Sequence, residues 1–379
     1  MTFDHVLVGG GLHNGLVALG LLHHDPAARF ALVEQGAIGG NHTWCHHAAD
    51  VDPIAAPWVE PLVGWRWAGY DVAFPDRARG FDEPYAMIAS SALRAAVEAA
   101  VEAAPNAALV RGEAVEVAAG RVRLADGAQV EGRVVIDGRG PARGVGDCGY
   151  QKFVGWEVEL AAPHGLDRPV LMDARLPQID GLRFMYVLPL DARRALIEDT
   201  YFADGPALDV AGVERELERY AAGRGWSIAR VVRREQGVLP LPWAPAPPPP
   251  DDGVLRAGYR GGFFHPVTGY SLPMATRLSA LAATSSVEAL PARWAEYGRE
   301  VRGRQRFCHL LNRAMFRHCA PEARWQLMSR FHRRPAALIR RFYALRMTRW
   351  DRFVAVAGPI PRCLQWRPRP PAALEERAA

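Results

Sequence analysis

Residues 3–15, FDHVLVGGGLHNG, carry an apolar strand into a glycine cluster and on into an amphipathic stretch, GLVALGLL. Such an opening commits a chain to a parallel βαβ unit. Val6, Leu7 and Val8 read as a buried strand. Gly9 and Gly11 allow a tight turn and bring the backbone close to a pyrophosphate. The helix that follows aims its free N–H groups and positive dipole end at that anion. A second apolar strand, Phe30–Val33, ends in Glu34, about 20 residues past the glycines, where a ribose hydroxyl is held. The third glycine position is taken by Asn14, with glycine one later at Gly15. A flexible turn in an ordinary βα unit would explain the glycines alone. The strand before, the helix after and the acid at this distance together favour a nucleotide. Glu34 suits an unphosphorylated ribose, as in FAD or NAD, and would repel a 2′-phosphate.

The 379 residues can bury a large core and hold two joined domains. Ser90/Ser91 followed by ALRAAVEAAVEAA reads as a capped helix. Residues 107–136 alternate as a β-meander, with Asp126-Gly127 as a hairpin turn, and close in VVIDGRGP (134–141). From residue 150 the pattern changes to longer alternating strands, QKFVGWEVEL, LRFMYVLPL and RALIEDTYF, then a helix near 209–223 and a strand from Trp226 to Val238. This predicts an antiparallel substrate platform lined or backed by Trp156, Phe184, Tyr186 and Tyr201. Residues 240–250, PLPWAPAPPPP, read as a stiff polyproline connector. The strand VLRAGY returns to the first domain, and a helix is expected from Pro273 to Ala289. The organisation expected is a cofactor domain in two parts (1–149 and 251–290), a substrate domain (150–250) and a basic helical region (291–379).

The chain has 45 Arg, one Lys (Lys152) and a net charge of +5. Residues 291–379 hold 20 Arg and 6 acids, so the rest carries about −9. Five scattered cysteines show no disulfide framework and predict a reducing cytoplasm. Val6–Leu22 lacks a basic flank and a cleavage site, so no signal peptide is expected. No uncharged run of 18 apolar residues predicts a spanning helix.

The IEDT segment (197–200) holds two adjacent acids in an apolar strand, where burial is costly unless they are used or paired. Strand alternation puts Glu198 and Thr200 on one face and Asp199 on the other. In the plainer reading one acid meets solvent and the other an arginine such as Arg193 or Arg194. In the functional reading, one is a carboxylic acid with a raised pKa in an apolar pocket, acting as general acid. His42, Cys45, His46 and His47 crowd one polar loop too closely to close a tetrahedron around a metal, so no metal site is expected. No G-x-S-x-G elbow, CxxC pair or P-loop is present.

Taken together, VGGGLHNGL (8–16), GGNHTWCHH (39–47), IDGRG (136–140), MDARLPQIDGLRFMYVLPL (172–190), LIEDTYF (196–202) and FHPVTGYSLP (264–273) resemble bacterial lycopene β-cyclases over essentially the whole chain. The resemblance implies an α/β fold of the flavin hydroxylase and geranylgeranyl reductase type, with a Rossmann-like FAD domain. It implies an FAD-dependent isomerase that cyclises the ψ ends of linear carotenes such as lycopene without net redox change, with NAD(P)H as reductant. It implies that Glu198 is the essential carboxylate. FAD contacts are then expected from Gly9, Gly11, Leu12, Glu34 and Gly138, and from His265, Pro266, Thr268, Gly269 and Tyr270. One departure stands out. Flavin hydroxylases usually carry Gly-Asp where this chain has Gly258-Tyr259, so the ribityl-binding Asp is missing.

The same fold also serves flavin monooxygenases and prenyl reductases, the alternative activity. A flavoprotein that uses its basic tail to bind a membrane or nucleic acid without catalysis is a further alternative. No nucleic-acid motif is present, so no such partner is expected. A carotene lives in the bilayer, so a cytoplasmic enzyme peripherally bound to the membrane is expected. Residues 336–356 read as a basic amphipathic helix suited to that surface, with covering of the core as the alternative use.

Overall fold

The computed structural model describes residues 2–141, 147–245 and 247–364. Thr2–Val8 is an interior strand, flanked in parallel by Phe30–Glu34 and Gln129–Asp137. Ala107–Arg111 extends the same sheet in parallel beyond Phe30–Glu34. The carboxyl ends of these strands share one edge, the edge at which open parallel sheets bind ligands. Gln129–Asp137 divides its far side. Its first residues pair antiparallel with Arg121–Leu124, and Val135–Asp137 pair in parallel with Val254–Arg256. The meander is therefore shorter than expected. Helix Ser90–Ala103, buried through Leu93, Val97 and Val101, makes a crossover, and Ala107–Arg111 emerges from it as a parallel strand.

Helix Leu12–His24 is buried from Leu12 to Leu21 and packs between the sheet and helix Leu272–Ala283. The approach is close at Gly20, where a Cβ would lie 3.0 Å from the Trp58 ring and 3.2 Å from the Ser279 carbonyl. The second helix stops at Ala283, short of the expected Ala289. Thr284 and Ser285 turn their hydroxyls back onto the carbonyls of Ala280 and Leu281, which competes with a further helical turn.

The second sheet runs in the order Ile228–Pro242, Cys148–Leu160, Arg194–Ala203, Leu182–Pro189, Val170–Asp173, Tyr70–Phe74 and Arg77–Phe81. Its last two strands come from outside residues 150–250. Pro240–Pro242, expected in the connector, instead pair with Cys148–Tyr150. Ala246 of that connector lies outside the described residues. Thr43–His47, expected as a polar loop, is a strand paired with Tyr85–Ala89, which also pairs with Trp65–Trp67.

Helix Val210–Gly223 covers one face of the second sheet over Val158, Ile197 and Tyr201. Asp199 lies fully buried on this face. The Arg183 guanidinium donates to it at 2.7 and 3.0 Å and to Glu216 on the covering helix at 2.9 Å, and the Tyr201 hydroxyl donates to it at 2.9 Å. Arg194, one expected partner of the acid pair, instead meets Glu157.

The C-terminal segment forms two helices, Ala336–Tyr343 and Arg349–Val356, in place of one. Leu345 adopts φ 54°, which ends the first. Thr348 caps the second, accepting from the Asp351 amide while the Asp351 carboxylate accepts from the Thr348 amide. Leu338, Ile339 and Phe342 face the core, whereas Trp350, Phe353 and Val356 are exposed. Among the described residues no helix is long and apolar enough to cross a membrane. Residues 365–379 of the basic region lie outside them.

Asp199→Asn leaves the buried Arg183 with a weakened partner. It should lower unfolding free energy by about 3 kcal/mol, read as a drop in denaturation midpoint without a change in slope.

Candidate active site

The glycine turn is built to leave room. Gly9 sits at φ +86°, and a Cβ there would lie 3.0 Å from the Arg139 amide. Asn14, in the third glycine position, donates through Nδ2 to the carbonyls of Val8 and Gly9 at 3.0 Å, tying the helix to the end of the first strand. A Cβ on Gly138 would lie 2.6 Å from that amide nitrogen, so Asn14 and Gly138 fit as a pair. The displaced Gly15 serves helix packing against Leu93. At Gly11 a Cβ would meet no atom within 4 Å. The helix it precedes has neither a side-chain cap nor an acid in its first turn. Its leading amides therefore open onto a cavity. Glu34 accepts from the Gly10 and Gly36 amides at 2.6 and 2.7 Å and lines the same space. A cationic helix end for a pyrophosphate, with a carboxylate set beside it for a ribose, fits a dinucleotide cofactor.

The cavity holds about 740 Å³ and runs from this cradle to the second sheet. Leu12 and Gly138 line it, as do Thr268, Gly269 and Tyr270. His265 and Pro266 do not. His265 is fully buried behind the loop, where its amide donates to the Tyr270 carbonyl at 2.7 Å and its Nδ1 accepts from the Val267 amide. Burial pushes its pKa down to about 3, so the ring is a neutral turn-former. The Pro266 carbonyl accepts from Asn312 at 2.6 Å. Tyr259 braces this loop. Its hydroxyl donates to the Gly269 carbonyl at 2.8 Å and its ring stacks on Phe264 at 4.1 Å. Tyr270 donates to Asp50 at 2.8 Å, a buried acid raised to about 6 by desolvation.

Glu198 and Thr200 face the cavity. The Thr200 hydroxyl donates to Glu198 Oε1 at 2.6 Å. Glu198 stands in a row across the sheet, opposite Tyr186 on one side and Gly155 on the other, and Gly155 stands opposite Glu235. A Cβ at Gly155 would lie 3.1 Å from Glu235 Cγ and 3.4 Å from Glu198 Cβ. Sequence reasoning missed Glu235. The available signal was the glycine inside VGWEVEL, since an interior-strand glycine marks a close approach. Desolvation first, then the charges of Glu235 and Asp199, push Glu198 up to about 8, against the opposing effects of the Thr200 hydrogen bond and the Arg233 charge. Glu198, half-buried at the cavity wall, is thereby shifted toward its protonated form.

Phe184, Leu196, Phe202, Leu171 and Met172 give the surrounding wall an apolar character. Tyr186 and Tyr85 join them, their hydroxyls bonded to each other at 2.9 Å. Burial pushes the Cys45 thiol up to about 12, so it is neutral. Trp156 and Tyr201, expected to line or back the platform, pack on the opposite face. His42, Cys45 and His47 line the cavity, while His46 turns to the His47 carbonyl. Among the described residues no three His, Cys, Asp or Glu side chains are arranged to hold a metal.

Residues 4–362 match the family model described as lycopene cyclase protein. The chain belongs to the lycopene cyclase family. This lycopene cyclase family member is 39% identical to the lycopene beta-cyclase of Pseudescherichia vulneris, covering 96% of each chain. It is also 39% identical to the lycopene beta-cyclase of a Paracoccus strain, covering 97% of this chain and 98% of that one. Its fold is similar to that of a geranylgeranyl bacteriochlorophyll reductase-like protein from Thermoplasma acidophilum (TM-score 0.62, 13% identity, 96% and 97% covered). It is similar also to 2-methyl-3-hydroxypyridine-5-carboxylic acid oxygenase (TM-score 0.57, 15% identity, 92% and 98% covered).

The raised acid has a stability consequence. Its folded pKa exceeds the ordinary 4.5, so the native state loses stability as pH rises from that value through about 8. Glu198→Gln has nothing to ionise. Its melting temperature relative to wild type should therefore rise between about pH 5 and about pH 9.

Proposed function

We propose that the protein is a lycopene β-cyclase that converts the ψ end groups of lycopene to β rings, through γ-carotene to β-carotene, without net redox change. The observation that carries this reading is Glu198, an acid at the wall of an apolar cavity continuous with a dinucleotide cradle and shifted toward its protonated form, in a chain of the lycopene cyclase family. Gly9, Gly11, Leu12 and Gly138 would hold the pyrophosphate of FAD and Glu34 its ribose, with Thr268, Gly269 and Tyr270 toward the flavin ring. FAD held there in reduced form, with NAD(P)H as the proposed reductant, would supply negative charge that stabilises a carbocation.

Glu198 donates its proton to C2 of the terminal C1=C2 bond, leaving a tertiary cation at C1. The C5=C6 pair closes the ring onto C1, and loss of the C6 proton gives the β ring. The apolar wall keeps water from the cation. Phe184, Tyr186 and Tyr85 offer ring faces worth about 0.5–2 kcal/mol each. Anaerobic incubation with lycopene should give cyclised product of unchanged mass from reduced enzyme and none from oxidised enzyme. Glu198→Gln should abolish turnover with flavin retained, and Gly11→Val should lose the flavin by filling the pyrophosphate space. Product gaining oxygen, or changed by two hydrogens, would favour a flavin monooxygenase or prenyl reductase.

We propose also that the protein works from the cytoplasm on a membrane surface, where such carotenes reside. Trp350, Phe353 and Val356 are 69%, 59% and 53% exposed on helix Arg349–Val356, beside Arg349 and Arg352. Basic residues near an anionic surface contribute about 1 kcal/mol each. The preceding helix has its apolar face in the core, and its Arg340 and Arg341 pair with Glu83 and Asp351. Its last residue, Tyr343, lines the cavity. The protein should float with anionic liposomes at low salt, and Trp350→Ala with Phe353→Ala should release it. A protein that stays in solution beside such liposomes contradicts this part of the reading.

A further inference from the structure

Glu198 and Glu235 stand on either side of Gly155 in one cross-strand row, and the missing side chain at Gly155 leaves the space between them open. Glu235 is buried, and its Oε2 takes two hydrogen bonds, from Arg233 at 2.7 Å and from the Thr43 hydroxyl at 3.0 Å. Its other oxygen, Oε1, is turned to the row, 3.3 Å from where a Gly155 Cβ would stand. Arg233 is itself braced by Glu157 at 3.2 Å and donates to Thr43 at 2.8 Å. This clamp joins the end of the second sheet to strand Thr43–His47, and it fixes an ion-paired carboxylate at the cavity wall beside the acid.

We infer that Glu235 is a positioning residue for Glu198: its ion-paired carboxylate, set alongside across Gly155, keeps Glu198 in its acid form until a carotene end group takes the proton. The inference rests on the cyclase reading above and gives Glu198 a named partner. Two carboxylates side by side cannot both be charged cheaply, and the arginine decides which one is. The remaining groups around Glu198 do not replace this role. Tyr186 and Tyr85 stay neutral because burial holds both hydroxyls well above the ordinary tyrosine range. Cys45 stays a thiol. Asp199 is turned to the far face and held by Arg183. His42, near Glu235 and Arg233, is pushed toward the neutral form by burial. The cycle also closes in protons. One leaves Glu198 for C2, the one lost from C6 passes to solvent, and the adjacent negative charge draws a solvent proton back to Glu198.

The test titrates the acid in two ways on reduced holoenzyme. One is the pH dependence of cyclisation. The other is the infrared C=O band of the protonated carboxyl, assigned by its loss in Glu198→Gln. In wild type both should fall as pH rises through the raised pKa of Glu198, about 8. In Glu235→Gln the alkaline limb and the band should both move to lower pH by about one unit or more. Glu235→Asp, which keeps the charge, should recover part of the shift and carries the test should the glutamine variant fail to fold. A purely structural clamp would leave the band where it is in wild type. An unmoved band and limb beside an inactive Glu198→Gln would overturn the pairing and leave the cyclase reading standing. An active Glu198→Gln would overturn the acid assignment itself and the pairing with it.

Discussion

A carboxyl group drawn from water beside another carboxylate favours its protonated form, and the second sheet sets the half-buried Glu198 in such a place, at the wall of an apolar cavity. Ionising Glu198 would put a charge in a cavity walled by Phe184, Leu196 and Phe202, next to a carboxylate already paired with Arg233. Desolvation is the larger effect and the neighbouring charge adds to it. The arrangement depends on register. With a side-chain period of two, a slip of one residue in strand Arg194–Ala203 would turn Glu198 to the covering helix and Asp199 to the cavity. The 13-residue strand Cys148–Leu160, paired on both sides over Tyr150–Glu159, makes such a slip costly.

Two adjacent acids thus have opposite fates. Asp199 faces a guanidinium, a tyrosine hydroxyl and a covering helix, and it serves the fold. Glu198 faces a cavity with one threonine hydroxyl bonded to it, the setting the proposed acid needs. Neither could take the other's place, because Arg183 on the cavity side would favour loss of the proton that the reaction needs. The first sheet contributes the other half of the site by bringing its glycine turn and helix end to the same cavity. The loop braced by Tyr259 then joins the two halves.

The first βαβ unit and Glu34 were legible because a buried strand, a glycine turn and an acid at fixed distance are local signals. The opposite orientation of Glu198 and Asp199 was legible because strand alternation is geometric. Partners across strands were not. Asp199 meets Arg183 and not the nearer Arg193 or Arg194, since pairing follows register and not proximity in sequence. Glu235 joins Glu198 through a third strand, which no local pattern encodes. Residues 70–81 enter the second sheet through a parallel pairing with Val170–Asp173 that also lies beyond local signals. The break in 336–356 turns on Leu345 at positive φ, a conformation no sequence period forecasts for leucine. His265, expected at the flavin, supports the loop from behind, and Tyr259 shows how the loop is held without the usual Asp.

On the proposed reading, a protein carboxyl in equilibrium with solvent delivers the proton that starts ring closure. A single turnover of reduced enzyme with lycopene in D₂O, with the position of label read by NMR, tests it directly. One deuterium is expected at C2 for each ring formed. Rings formed in fully exchanged enzyme without deuterium at C2 would contradict it.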